Sequence, residues 1–150
     1  MRDFINNHYL WIAPIFSFIV AQLLKYVIYA IQYKVLRKER LTGAGGMPSS
    51  HSSGVCTLIT VMAVSQGAAS PMFAIALIFG LVVMYDAAGV RRAAGLHAKV
   101  INILKKSIDD LEQDGKGGEP ESVQLKEFVG HTPLEVFCGA VLGIAIGLMF

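Results

Sequence analysis

The sequence predicts an all-α fold: a polytopic membrane helical bundle with about four transmembrane helices and one amphipathic helix on the cytoplasmic side. Three observations carry that expectation. The chain of 150 residues is 54% hydrophobic and 16% charged, with a mean hydropathy of +0.55. Its apolar residues gather into runs near 9–32, 48–64, 71–90 and 133–150, where roughly 20 residues are needed for a helix to cross a bilayer. Between the last two runs, apolar residues recur at helical spacing with charges on the opposite face. The chain reads as one domain, 1–150, with a soluble helix and loop over about 96–130 and no internal repeat.

The first run, Tyr9 to Gln32, follows Asp3 and lacks a small-residue cleavage site, so it is expected to stay attached as a span. Lys25 lies inside it, where an ammonium needs an ion partner, a phosphate or a route for its stem to the interface. Ser, Thr, Gly and Ala dilute the second run, Pro48 to Val64, which suits a helix packed on neighbours better than one bathed in lipid. The third, Pro71 to Val90, ends at Arg91 and Arg92. An amphipathic helix follows from about Leu96 to Leu111, with Val100, Ile101, Leu104 and Ile108 on one face, lying along the cytoplasmic interface. Asp114 to Glu121 is then a glycine-rich connector. In the fourth run Gly139, Gly143 and Gly147 form a small-residue stripe suited to packing within the bundle or in a homodimer. Cys56 and Cys138 fall inside spans and are expected to be reduced and unpaired.

Lys34, Arg37, Lys38 and Arg40 follow the first run, and Arg91, Arg92, Lys99, Lys105 and Lys106 follow the third, whereas the turn Gln66 to Ser70 carries no charge. By the positive-inside rule the two basic connections face the cytoplasm and both chain ends lie opposite. The net charge of +2, with no basic run interleaved with aromatics, gives no reason to expect nucleic acid as a partner.

Gly45-Gly-Met-Pro-Ser-Ser-His-Ser-Ser53 combines backbone freedom, hydroxyls and an imidazole at the mouth of the second run. Glycines allow close approach to a ligand, Pro48 pre-sets a first helical turn, and a helix N-terminus attracts an anion. His51 would stand beside that anion; a plain turn and helix cap is the competing reading. His131 opens the fourth run, and Glu135, four residues on, shares its helical face. The carboxylate can fix one ring nitrogen and leave the other as the lone pair of a nucleophile. Thr132-Pro-Leu-Glu135 also has the pattern of a capping box, which competes for the same carboxylate. Arg91 and Arg92 either anchor at the interface or clamp a phosphate, with Asp86 as an ion partner for one of them or for Lys25. Arg40, His51, Arg91, Arg92 and His131 all fall at helix ends on one side of the expected topology, which favours a single anionic site. His51, His97 and His131 show no metal-ligand spacing, so neither a metal nor another cofactor is expected.

With these residues placed, nearly the whole chain resembles the type 2 phosphatidic acid phosphatase superfamily, related to the vanadium haloperoxidases, and in particular its short divergent bacterial and plastid branch. The resemblance rests on Gly45 to Ser52, on Asp86-Ala-Ala-Gly-Val-Arg-Arg-Ala-Ala-Gly95 and on Leu125-Lys-Glu-Phe-Val-Gly-His-Thr-Pro-Leu-Glu-Val136. The superfamily builds a metal-free site from three motifs, K-x6-R-P, P-S-G-H and S-R-x5-H-x3-D. Pro48-Ser-Ser-His51 is similar to the second, with Ser50 for glycine, and His131-x3-Glu135 to the end of the third, with glutamate for aspartate. Gln124-Leu125 stands where the third motif has Ser-Arg, so Lys126 or the Arg91-Arg92 pair must supply that charge. Lys25 and Arg40 are too far apart for the first motif, and Arg40 lacks the following proline. Arg91-x5-His97 is a rival match in which Ile101 occupies the acid position.

The resemblance implies an integral-membrane lipid phosphate phosphatase, in a bacterial plasma membrane or plastid membrane. Its nucleophile would be His131, steadied by Glu135 or Asp86, with His51 as acid and base. Lys25, Arg40, Ser49, Ser50, Arg91 and Arg92 would neutralise the phosphate, with Lys126 and His97 as further candidates. Phosphatidylglycerophosphate, phosphatidate and prenyl pyrophosphates are all compatible substrates. The alternative is a scaffold of this kind that binds anionic lipid or a partner without turnover. Four helices make a thin enclosure for a lipid site, which leaves room for a homodimer.

Overall fold

The computed structural model describes residues 2–34, 45–112, 125 and 130–150. Five helices follow one another: α1 (Arg2–Tyr33), α2 (Ser50–Gln66), α3 (Pro71–Ala88), α4 (Val90–Glu112) and α5 (Pro133–Gly147). The all-helical membrane bundle expected from the sequence is the fold observed. Among the described residues two stretches are long and apolar enough to cross a bilayer, His8–Tyr33 and Pro71–Asp109, and α5 is a shorter apolar helix. At about 1.5 Å per residue, the 17 residues of α2 reach roughly 25 Å, a little less than the hydrocarbon core.

The bundle is apolar outside and small or hydroxylated inside. Ala13, Ser17, Ala21 and Lys25, each four residues from the last, line the buried face of α1. Ser50, Ser52, Ser53, Cys56, Thr57 and Val61 are buried on α2. Large side chains such as Trp11, Phe16, Ile78, Phe79 and Tyr85 are exposed. A water-soluble domain would have the opposite distribution, whereas in lipid small residues let helices approach and the outer face needs only to be greasy.

α2 is the central element and packs on α1, α3 and α5. The stripe Gly139, Gly143 and Gly147 faces it: a Cβ at Gly139 would strike the Ser49 carbonyl oxygen, one at Gly143 the Ser53 carbonyl oxygen, and one at Gly147 the Thr60 side chain. The stripe therefore works within the bundle. Hydroxyls reinforce the seams, with Ser17 and Ser53 Oγ 2.6 Å apart and Thr57 donating to the Gly143 carbonyl at 2.8 Å. Cys56 and Cys138 are free thiols.

Three boundaries differ from the sequence expectation. Pro48 lies outside α2, because Ser49 is the N-cap and its side chain accepts from Ser52 N–H. The third run stops at Ala88, where Gly89 breaks the helix. The amphipathic helix begins at Val90 instead of near Leu96, which places Arg91 and Arg92 on the first turn of α4 rather than at the end of α3. The expected 114–121 connector, Arg40 and Lys126 lie outside the described residues.

Candidate active site

The site is assembled where the starts of α2 and α5 meet the break between α3 and α4. Ser49 N–H donates to the Glu135 carbonyl at 3.0 Å, and His131 N–H donates to the Ala87 carbonyl at 3.0 Å. The first bond ties α2 to α5, and the second ties the approach to α5 onto the end of α3. Gly130 makes the second junction sterically possible: its φ is +97°, and a Cβ there would strike the backbone of Arg91 and Arg92.

His131 sits two residues ahead of α5 and is 3% exposed. Its Nδ1 is 3.2 Å from Glu135 Oε2. The same oxygen accepts from Thr132 N–H at 3.0 Å, and Thr132 Oγ1 accepts from Glu135 N–H to complete a capping box. The two readings of Glu135 thus coexist on one oxygen. With Nδ1–H donated to the carboxylate, Nε2 carries the lone pair; among the described residues this buried atom has no hydrogen-bond partner, although the Gly46 backbone lies close enough to the ring to raise its pKa. Burial, then the nearby Lys25 charge, push the His131 pKa below its ordinary value against the opposing pull of Glu135. The ring is thereby held neutral, the form with a nucleophilic nitrogen.

His51, half-buried on the first turn of α2, faces His131 with ring centroids 6.5 Å apart. Phe18 braces its other side in an edge contact at 5.6 Å. Both imidazoles line a cavity of about 240 Å³ together with Val82, Val83, Asp86 and Arg91. Arg91 Nε is ion-paired with Asp86 Oδ2.

The remaining candidates are distributed differently. Lys25 is 4% exposed, bonds Gln22 Oε1 at 3.2 Å, and lines a separate cavity of about 330 Å³ with Tyr29, Gly46 and Glu135. Arg92 lines a third cavity, of about 290 Å³, with Lys99, Gly130 and His131. Ser49 and Ser50 are buried and line none of the three cavities; the Ser49 hydroxyl caps α2 and bonds Ser52 Oγ at 3.0 Å. His97 is exposed on α4 and lines none of them either. Gly130 and Lys99 were not singled out from the sequence. The seven-residue spacing of Arg92 and Lys99 was the available signal for Lys99, and Gly130 is visible only once the α3–α4 break is known.

A helical membrane bundle that gathers two imidazoles and a guanidinium into one chamber at its helix ends is the class of protein this fold and site define. The chain belongs to the Divergent PAP2 family, whose model matches residues 5–146. It is 41% identical over 138 residues to the uncharacterized membrane protein YuiD of Bacillus subtilis (strain 168), covering 89% of this chain and 87% of that protein. No solved structure matches.

Proposed function

We propose that the protein is a metal-independent phosphatase of a membrane lipid phosphate, with its site on the cytoplasmic side. The observation that carries this reading is the pair of histidines. Among the described residues, Nε2 of buried His131 has no hydrogen-bond partner, and the His51 ring lies across a shared cavity with ring centroids 6.5 Å apart, a gap that one phosphoryl group can bridge. Val82 lines that cavity and is also 61% exposed on the outer face of α3, so a headgroup can enter while its tails stay in lipid.

In the first step His131 Nε2 attacks phosphorus, the ester P–O bond breaks, and His51 gives its proton to the departing alkoxide. In the second step His51 takes a proton from water, the resulting hydroxide attacks phosphorus, and the P–N bond breaks to release inorganic phosphate and restore His131. Arg91 lines that cavity and offsets charge on the phosphoryl oxygens, and Lys25 adds its field from the neighbouring cavity, since phosphoryl transfer depends chiefly on positioning and electrostatics. Phosphatidylglycerophosphate is the preferred substrate among those compatible, because a cytoplasmic site suits an intermediate of phospholipid synthesis.

The test is phosphate release by purified protein from phosphatidylglycerophosphate, phosphatidate and a prenyl pyrophosphate, with and without EDTA or vanadate. Release is expected to survive EDTA, to be inhibited by vanadate, and to fall by about 10²-fold or more in His51→Ala and further in His131→Ala. Loss below about tenfold in His51→Ala contradicts its role. A second reading, lipid binding without turnover, is favoured by one observation: Gln124-Leu125 where the superfamily has Ser-Arg. Tight binding of these lipids with no release would establish it.

A further inference from the structure

α4 is covered on the wrong side for a helix in water. Among the described helices it packs only on α3. Part of its polar face is held by the chain's own return path, where the Asn102 side-chain amide donates to the Leu125 carbonyl at 2.9 Å and its oxygen accepts from Leu125 N–H at 3.0 Å. The opposite strip, with Val90, Val100, Ile101, Leu104 and Ile108, is about half exposed or more at every position. An apolar strip left open beside membrane helices is matched by acyl chains.

The basic residues of α4 point to the chemistry of the surface above those chains. Arg91 and Arg92 project about 100° apart on a helix and line different cavities. Arg91 faces the histidine pair. Arg92 and Lys99, seven residues apart and on one face, line the 290 Å³ cavity with Gly46, Gly95, Leu96 and, on its inner side, His131. Leu96 is also 57% exposed, so this cavity opens where the apolar strip meets the basic one. Glu135 lines it as well, but its Oε2 is occupied by Thr132 N–H and the His131 ring. The two cations outnumber that carboxylate.

We propose that α4 docks on an anionic leaflet, its apolar strip among the acyl chains, with the headgroup of an anionic phospholipid seated at Arg92 and Lys99 as an accessory lipid, in a cavity that adjoins the His51 and His131 cavity and shares His131 with it.

The experiment uses full-length protein in nanodiscs of phosphatidylcholine with phosphatidylglycerol, a lipid whose phosphodiester carries no terminal phosphate to hydrolyse. In a Cys56→Ser, Cys138→Ser background, an environment-sensitive label at Val100→Cys is expected to be shielded from aqueous iodide and quenched by lipids carrying spin labels, and one at Lys106→Cys to behave the opposite way. Equal accessibility at the two positions overturns the docking. Phosphatidylglycerol affinity, read with a fluorescent analogue in phosphatidylcholine nanodiscs, is expected to fall about thirtyfold when Arg92 and Lys99 are both replaced by alanine, at about one headgroup contact each. Unchanged affinity in that variant, or an equal loss in Arg91→Ala, overturns the accessory site. Neither readout needs turnover, so failure of the hydrolase reading would leave both informative.

Discussion

His131 and Glu135 show how much chemistry a single spacing can specify and where it stops. Four residues apart in sequence, they meet at 3.2 Å even though His131 precedes α5 rather than lying on it. The contact predicts a pH dependence. In the proposed mechanism His131 attacks as the neutral ring, so kcat/KM is expected to fall as pH drops through its pKa, which burial and Lys25 hold below the ordinary histidine value. Glu135 pulls that pKa up, so Glu135→Gln is expected to shift the acidic limb of the profile to lower pH while lowering the maximal rate. A limb that stays in place or moves to higher pH would remove Glu135 as the partner of the nucleophile. His51, His131 and Glu135 were legible in the sequence because each motif is local. The division of labour among the cations was not, since whether Arg91 or Arg92 faces the histidines depends on the register of α4, which the Gly89 break sets. Arg91 takes the position beside both histidines and Asp86 holds it, whereas Arg92 enters the neighbouring cavity, which His131 lines without His51.

At the level of elements, the seam between α2 and α5 determines whether the histidines face each other. The glycine stripe brings backbone against backbone, and the Ser49 to Glu135 bond locks the two helix starts in register. Gly143→Leu is expected to separate the helices, because even a Cβ meets the Ser53 carbonyl. Overpacking of this kind costs about 1–3 kcal/mol, and it would appear as a lower melting temperature in detergent and a loss of turnover. An unchanged melting temperature would contradict the packing. The four-residue glycine spacing was readable in the sequence, but its partner was not: a small-residue stripe serves a neighbouring helix or a second chain equally well. The helix ends were misplaced by a few residues because a proline or a glycine announces a boundary without saying which neighbouring hydroxyl or carbonyl caps it, as at Pro48 and Gly89.

For the whole molecule, the inverted core explains why composition identified a membrane bundle so readily. Buried serine, threonine and glycine beneath exposed phenylalanine, isoleucine and tyrosine are stable only where the surroundings are hydrocarbon. Charge placement predicts the orientation, with basic residues after the first and third apolar runs and an uncharged turn between α2 and α3. A cysteine introduced at Ala69 is expected to react with an impermeant maleimide in intact cells, and one at His51 only after permeabilisation; the reverse pattern would put the site on the outer face and remove the preference for a cytoplasmic biosynthetic substrate.

Glu135 Oε2 serves helix and imidazole together, so fraying of the first turn of α5 withdraws the support of the reactive ring. Mild heat or a harsh detergent should therefore silence the protein while circular dichroism still registers nearly full helicity, making activity a more sensitive gauge of damage than any measure of global unfolding.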